Sequence, residues 1–431
     1  FASLGLTDSL SAEVFYQPEF HDTVLNGCDT YFSDDDNFSE GCDDIVTFAG
    51  IEGVAPAAIL KANDKHTDRP NGDGQFGLAL RFISETLDTE FSLYAMNLHS
   101  RTPTARGTTG TVDEAAIFDQ TFTDAVVDAM SLGLSLADAQ AAIAANATAL
   151  TELAVLNTVY ANSAAGSFQA THPEDIQITG LSFATNVATM SVSGEISHQR
   201  DVPLTLNTFM ALESATAGEG IIAATAAGIA AQQGVGTTSD YIDAAKDFLA
   251  ANGTPIEKLY VQDSRSHGDD KAFNLFRLFD VSQLQLTAIK TFDQALGANS
   301  VFIVAETGFT QVHGLNDSAG AIEKFEGSSS EVANTITEHS WGYRVLMGAD
   351  YTDVFAGVSL TPELYLSEDV DGVAPLANSG FNEGNKRVGL TLTADYQNRY
   401  NAAISFTHLS GKGNDRISDR DYASISMGMH F

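Results

Sequence analysis

The chain has 431 residues, of which 44% are hydrophobic, enough for a sizeable core and too many for wholesale disorder. It carries 57 acidic against 21 basic residues, a formal charge of −36. That charge argues against nucleic acid as a partner, because nucleic-acid binding rests on Lys and Arg neutralising phosphates. No run of about eighteen apolar residues occurs, so no transmembrane helix is expected, but a membrane-spanning barrel carries a much weaker, alternating signal.

In chain order, the first alternating segment sets Leu10, Ala12, Val14 and Tyr16 against Ser11, Glu13, Phe15 and Gln17. Successive side chains of a strand point to opposite faces, so such a segment has one apolar and one mixed face. Next comes CDTYFSDDDNFSEGC, an acidic loop bounded by Cys28 and Cys42. The pair reads as a local disulfide of an oxidising compartment, worth about 3 kcal/mol in the chain-entropy model; two free thiols are the alternative. No further Cys or suitably spaced His lies close enough to make this a zinc site.

Two stretches break the alternation. SLADAQAAIAANATALTELAVL (Ser135 to Leu156) predicts a helix with Ser135 as N-cap, Asp138 at its third position and Leu136, Ile143 and Leu150 on one stripe. The Ala-rich run from Ile221 to Ala251 predicts a second, stopped by Gly253 and Pro255. They define helical insertions at 112–165 and 211–255. Plugging a lumen, capping its mouth and packing outside are all open to them; a gate built on Leu136, Ile143 and Leu150 is the expectation carried forward.

Beyond them alternation returns. Met190, Val192, Gly194 and Ile196 oppose Ser191, Ser193, Glu195 and Ser197; Val301 to Phe309, Tyr343 to Tyr351 and Val388 to Tyr396 behave alike, giving about a dozen strands in all. Short polar links near Asn186, Asp353 and Asn398 alternate with long acidic or Gly-rich connections, the layout of an up-and-down antiparallel meander. The charges on the non-apolar face, Glu195, Glu306, Arg344, Asp350, Arg387 and Asp395, are the candidates for lining a polar lumen. Aromatic residues near strand ends, Tyr16, Phe20, Tyr351, Phe355, Tyr396 and Tyr400, fit an interfacial girdle.

No nucleophile elbow, zinc-protease helix, phosphate loop or dinucleotide fingerprint is present. A hydrolase would need Ser, His and a polar partner on adjacent strands, and the sequence displays no such set; enzymatic activity and a resident metal or cofactor are not expected. HGDD (His267 to Asp270) and EDVDG (Glu368 to Gly372) leave Ca2+ at acidic loops as a candidate ion without the full ligand spacing of a calcium loop.

Taken together, GLTDSLSAEVFYQPEF from Gly5, GQFGLALRF from Gly74, HPEDIQITGLSFATNV from His172, GEISHQRDVPLTLN from Gly194, SQLQLTAIKTF from Ser282, SWGYRVLMGADYTDVFAGVSLTPEL from Ser340, NEGNKRVGLTLTADYQNRYNAAISFT from Asn382 and SDRDYASISMGMHF from Ser418 carry a resemblance. The chain resembles the Gram-negative outer-membrane proteins grouped as domain of unknown function 1302. The resemblance implies an all-β, up-and-down antiparallel transmembrane barrel with helical insertions in its loops, spanning 1–431 as one domain in the bacterial outer membrane and short of some N-terminal strands. It further implies export of lipid or another hydrophobic molecule with an inner-membrane exporter of the resistance-nodulation-division type and a periplasmic lipid carrier. Outer-membrane lipid, lipopolysaccharide and the barrel-assembly machinery are the other expected partners. The last strand resembles the signal read by that machinery, with Tyr422, Ile425, Met427, Met429 and terminal Phe431 as its residues. Alternatives are a structural or surface-binding protein with cation-binding loops, and an ordinary porin.

Overall fold

The computed structural model describes residues 1–25, 27, 30, 44–48, 58–62, 67–108, 113–147, 150, 153–154, 157, 167–206, 244, 247, 251, 272–318, 323–327, 336–375, 380–411 and 420–430. Cys28, Cys42, Phe431, the HGDD segment and nearly all of 211–255 lie outside these residues, as do the disulfide and most of the second helical insertion expected there.

The alternating segments form strands, and thirteen of them make one sheet. Its members in order are β1 (Ala2–Gly5), β2 (Leu10–Gln17), β5 (Gln75–Ser84), β6 (Thr89–Leu98), β9 (Ile176–Val187), β10 (Met190–Thr205), β12 (Phe276–Asp293), β13 (Ser300–His313), β14 (His339–Phe355), β15 (Val358–Asp371), β16 (Lys386–Tyr396), β17 (Tyr400–Ser410) and β18 (Tyr422–Met429). Every neighbour is antiparallel. Among the described residues β1 pairs only with β2 and β18 only with β17.

Register carries the sequence alternation straight across the sheet. Leu4 lies opposite Ala12, Ala12 opposite Leu80, and Leu80, Leu93, Leu181, Ile196, Leu284, Phe309 and Trp341 follow as successive cross-strand partners. Beyond a bulge in β15, Met347, Leu364, Leu390, Phe406 and Ala423 continue it. One face is therefore apolar from edge to edge, and it is uncovered: Leu181 is 49% exposed, Ile196 52%, Leu390 54% and Met427 83%. The other face carries Ser, Thr, Gln, Glu and Arg.

Connections alternate strictly. Tight turns follow Gly5, Ser84, Val187, Asp293, Phe355 and Tyr396, whereas the links at the opposite end are longer, from 411–421 up to 99–175. Asp88, Ala188, Ala356, Gln397 and Asn398 adopt positive φ in the tight turns, and in the two-residue loop between Phe355 and Val358 both Ala356 and Gly357 do so, as type I′ geometry requires. Phe292, Phe355, Tyr396 and Tyr400 gather at this end; the two tyrosines stack at 6.4 Å, with Arg399 5.4 Å from the Tyr400 ring.

The long connections have their own structure. The smaller sheet, β11 (Ala272–Asn274), β7 (Thr104–Thr108), β8 (Ser167–Thr171), β4 (Ala58–Ala62) and β3 (Asp44–Phe48), is assembled from them. β7 also meets β10 and β12. Next to it, at the long-connection end of the polar face, Val202, Leu204, Leu206, Val281, Val312, Leu315, Phe325 and Ile336 bury one another. The polar face thus ends in an apolar core.

Helix α1 (Glu114–Ser131) falls in the first insertion, capped by Asp113, which accepts from the amide of Ala116 at 3.0 Å. Helix α2 (Leu136–Ala145) is capped by Ser135 accepting from the Asp138 amide. Its regular run breaks at Asn146, whose side chain donates back to the Ala142 carbonyl at 2.8 Å, while the Asn146 carbonyl accepts from the Leu150 amide at 3.1 Å. The helix expected as one unit from Ser135 to Leu156 is thus interrupted at Asn146, where the Asn side chain competes with the backbone for its hydrogen bonds, and the described residues beyond it are again helical. The expected stripe is not buried as a unit either. Ala139 is the buried residue of α2, Leu136 is 51% exposed, and Ile143 and Leu150 are half-buried. Among the described residues no helix is long and apolar enough to cross a membrane, which says nothing of strands.

Candidate functional site

The polar face of the central strands holds a set of interacting charges. Period-two alternation puts Tyr94 on β6, Glu195 on β10, Gln285 and Thr287 on β12, Glu306 on β13 and Arg344 on β14 on that one face. Tyr94 donates to Glu195 at 2.7 Å, reaching across Gly180. That glycine is needed: a Cβ there would lie 2.3 Å from the tyrosine ring. Gln285 and Thr287 donate to Glu306 at 2.7 and 3.3 Å, and Glu306 lies directly opposite Arg344.

Arg344 is held by the connection after β15. Its guanidinium donates to Asp369 at 3.3 Å and to the Gly380 carbonyl at 3.4 Å, and stacks 5.3 Å from the Phe381 ring. Phe381 fills the space above Gly308 and Gly342, two register partners without side chains. Beside it a cavity of about 300 Å³ is lined by Glu195, Gln283, Gln285, Glu306, Arg344 and Phe381, among others. A neighbouring cavity of about 260 Å³ shares Glu195 and Gln285 and extends to Glu90 and Ser182. Because they share these two residues, they form one polar groove that runs across the face from β6 to β14.

Three of the six sequence-predicted charges, Glu195, Glu306 and Arg344, meet in this groove. The other three share its face but not its cavity. Asp350 accepts from Ser300 and Thr361 at 2.8 and 3.0 Å near the tight turns. Asp395 accepts from the Asn398 amide at 2.8 Å and caps a turn. Arg387 stands exposed opposite Ser367. Tyr422, Ile425, Met427 and Met429 are exposed along β18.

The acids of EDVDG point to separate partners: Glu368 to Lys386 at 2.8 Å and Tyr343, Asp369 to Arg344, Asp371 to His339 at 3.4 Å. A calcium loop would turn them toward one point. No group of three or more His, Cys, Asp or Glu residues placed to hold a metal occurs among the described residues.

Two clusters escaped sequence reasoning. At the long-connection end, Arg69 donates to Asp22 at 2.8 and 3.0 Å, and this guanidinium holds the Asp22 carboxyl below the usual carboxylate range. Beside it His172 is buried against the Phe20 ring at 5.1 Å, its Nδ1–H donating to the Ser100 carbonyl at 3.0 Å. Burial pushes the His172 imidazole pKa down, despite the nearby acids. The second cluster lies on the apolar face near the same end: His198 on β10, Ser282 on β12 and His313 on β13 are side by side, with Ser282 3.0 Å from His198 Nδ1 and 2.8 Å from His313 Nε2. Only the strand register brings them together, so no local motif announced them.

A search of curated proteins finds no match for this chain. The family model described as "Protein of unknown function (DUF1302)" matches residues 1–431, and the chain belongs to that family.

Proposed function

We propose that the thirteen-stranded sheet is the wall of an outer-membrane β-barrel that moves amphipathic or hydrophobic molecules. The observation that carries this reading is the uncovered apolar face, continuous through register from Leu4 to Ala423. Leaving one Leu-sized side chain in water forfeits about 1.5–3 kcal/mol relative to burial, and soluble proteins rarely expose apolar patches beyond a few hundred Å². Lipid is the solvent that removes this cost, and outward apolar with inward polar residues is the pattern of a membrane barrel. The aromatic residues at the tight-turn end suit one membrane interface.

On this reading the polar face lines the passage. Its Glu195–Glu306–Arg344 groove offers partners to a polar headgroup, and the Phe381 ring in the same lining offers an apolar contact. An inner-membrane exporter of the resistance-nodulation-division type and a periplasmic lipid carrier are the proposed partners, and lipid and lipopolysaccharide the surroundings. No catalysis by the groove is part of this reading.

An ordinary porin is the second reading, favoured by the polar lining of both cavities. Planar-bilayer recording and mass spectrometry of copurified small molecules separate the two. Low conductance with retained amphiphiles is expected. High ohmic conductance with nothing retained would favour the porin, and solubility without detergent would sink both.

A further inference from the structure

Ser282 stands between two histidines on neighbouring strands. His198 is its register partner on β10, and His313 on β13 is the register partner of Asp280, two residues before Ser282. The hydroxyl is 3.0 Å from His198 Nδ1 and 2.8 Å from His313 Nε2, and His198 Nε2 is 4.0 Å from Asp280 Oδ2. The two rings are 5.7 Å apart and nearly edge-on.

A serine has one proton to give, and each neutral imidazole has one N–H and one lone pair. If His198 Nδ1–H donated to Ser282, its Nε2 lone pair would face the Asp280 carboxylate. The reverse assignment places an N–H there: His198 Nε2–H points to Asp280, Ser282 O–H donates to His198 Nδ1, and His313 Nε2–H donates to the serine oxygen. That is a nucleophile hydrogen-bonded to a base whose far side faces a carboxylate, the arrangement that activates serine on unrelated folds. The 4.0 Å separation is loose, and such contacts tighten when positive charge develops on the imidazole.

We propose that Ser282, His198 and Asp280 form a second site, an acyl-ester hydrolase on the outside of the sheet. Ser282 Oγ attacks the ester carbonyl while its proton passes to His198 Nδ1, and Asp280 stabilises the imidazolium. The tetrahedral adduct collapses by breaking the bond to the alcohol oxygen, which takes the proton from His198. Water then attacks the acyl-serine by the same relay and releases the carboxylic acid, so the net reaction is ester plus water giving alcohol plus acid. His313 Nε2–H, already at the serine oxygen, is the donor nearest the developing oxyanion.

The substrate class follows from the surroundings. Ile196 and Leu284, the next register pair on the same face, are 52% and 43% exposed, and Phe309 lies opposite Leu284. An acyl chain would lie along them with its ester at Ser282, so the ligand is an acylated amphiphile. The choice of a lipid-soluble substrate rests on the membrane reading; the hydrolytic chemistry does not.

The test uses the purified full chain in detergent, with a fluorophosphonate probe and the p-nitrophenyl esters of butyrate and palmitate. Labelling should map to Ser282, and ester hydrolysis should fall at least about 100-fold in Ser282→Ala and His198→Gln. Asp280→Asn should lower kcat by about tenfold or more with KM little changed, the signature of a positioning residue. Circular dichroism showing the wild-type β signal in each variant excludes loss of the fold. Absence of labelling at Ser282, absence of hydrolysis above buffer, or a rate unchanged in Ser282→Ala overturns the proposal. The butyrate ester is water-soluble and its hydrolysis needs no passage through a barrel, so failure of the transport reading would leave this result intact.

Discussion

Arg344 and Phe381 are stacked, the guanidinium carbon 5.3 Å from the ring centroid, although one belongs to the sheet and the other to a connection that folds back over it. The ring rests on the bare backbone of Gly308 and Gly342, so the connection is fastened over the polar groove by a buried aromatic and a charge. A Cβ on Gly342 would come within 2.6 Å of the Glu368 carbonyl and 2.8 Å of the ring. Phe381→Ala should therefore cost about 3 kcal/mol of local stability, the low end for truncating a buried Phe, and raise single-channel conductance. Gly342→Ala should also displace the ring. Unchanged conductance in Phe381→Ala would show that this connection does not obstruct a passage.

The two faces predict opposite tolerance to the same substitution. Leu390 lies on the apolar face, and Thr391, its neighbour in β16, on the polar one. If the apolar face meets lipid, Leu390→Arg should cost about 2–4 kcal/mol, the depth-dependent range for a midplane arginine. Thr391→Arg should cost well under half of that, since it would stand beside Glu363 in a hydrated space. Heat-modified migration in detergent electrophoresis and folding yield into vesicles measure the difference. Equal destabilisation by both would mean that the faces are not distinguished by lipid.

If the groove lines a passage, its charges should set the ion preference of the open state. Glu195 and Glu306 contribute two carboxylates, and Arg344 is already engaged with Asp369. Glu195→Gln with Glu306→Gln should shift the reversal potential in a potassium chloride gradient toward anions. The shift should be larger at 0.01 M than at 1 M salt, where the screening length shrinks from about 30 Å to about 3 Å. A shift independent of these residues would place selectivity in the acidic connections.

Strand existence and facing were legible because burial on one face imposes a period of two, and register then propagates it; Val301 to Phe309 could be assigned by inspection. The alternation of tight and long connections was legible for the same reason. The small sheet was not: β7 and β8 are only five residues long, too short for alternation to mark them. Leu136 misled because a helical stripe marks a face without saying whether anything covers it. Glu195, Glu306 and Arg344 could be named from sequence, whereas Asp350 and Asp395 look identical to them there and are set apart only by their partners, cross-strand hydroxyls for Asp350 and a turn amide for Asp395. Phe381 and the Ser282 cluster depend on contacts across 39 and 84 positions, the first from Gly342 and the second from His198, and no local pattern encodes them.

The Asp22–Arg69–His172 cluster should make the long-connection end acid-sensitive in two steps. The His172 pKa is lowered by burial, so in the unfolded chain this group takes up a proton near pH 6.5 while the folded one still resists. Stability is then full above about pH 6.5 and falls as pH drops from there to the folded pKa. The Asp22 pKa is lowered by the Arg69 hydrogen bond, so its contribution is full above the ordinary carboxyl value of 3.8 and is lost as pH falls through the folded value. Both losses have the same sign, in separate windows. Hydrogen exchange at residues 170–173, where His172 N–H donates to the Asp68 carbonyl at 3.1 Å, reports the local opening. Protection should be flat above pH 7, decline below pH 6.5, and decline again below pH 3.8. His172→Gln should flatten the upper step, with the lower one intact; Asp22→Asn should remove the lower step and reduce protection at neutral pH, because Arg69 loses its carboxylate. A profile flat from pH 7 to pH 4 in the wild-type protein would show that His172 can be protonated without opening the cluster.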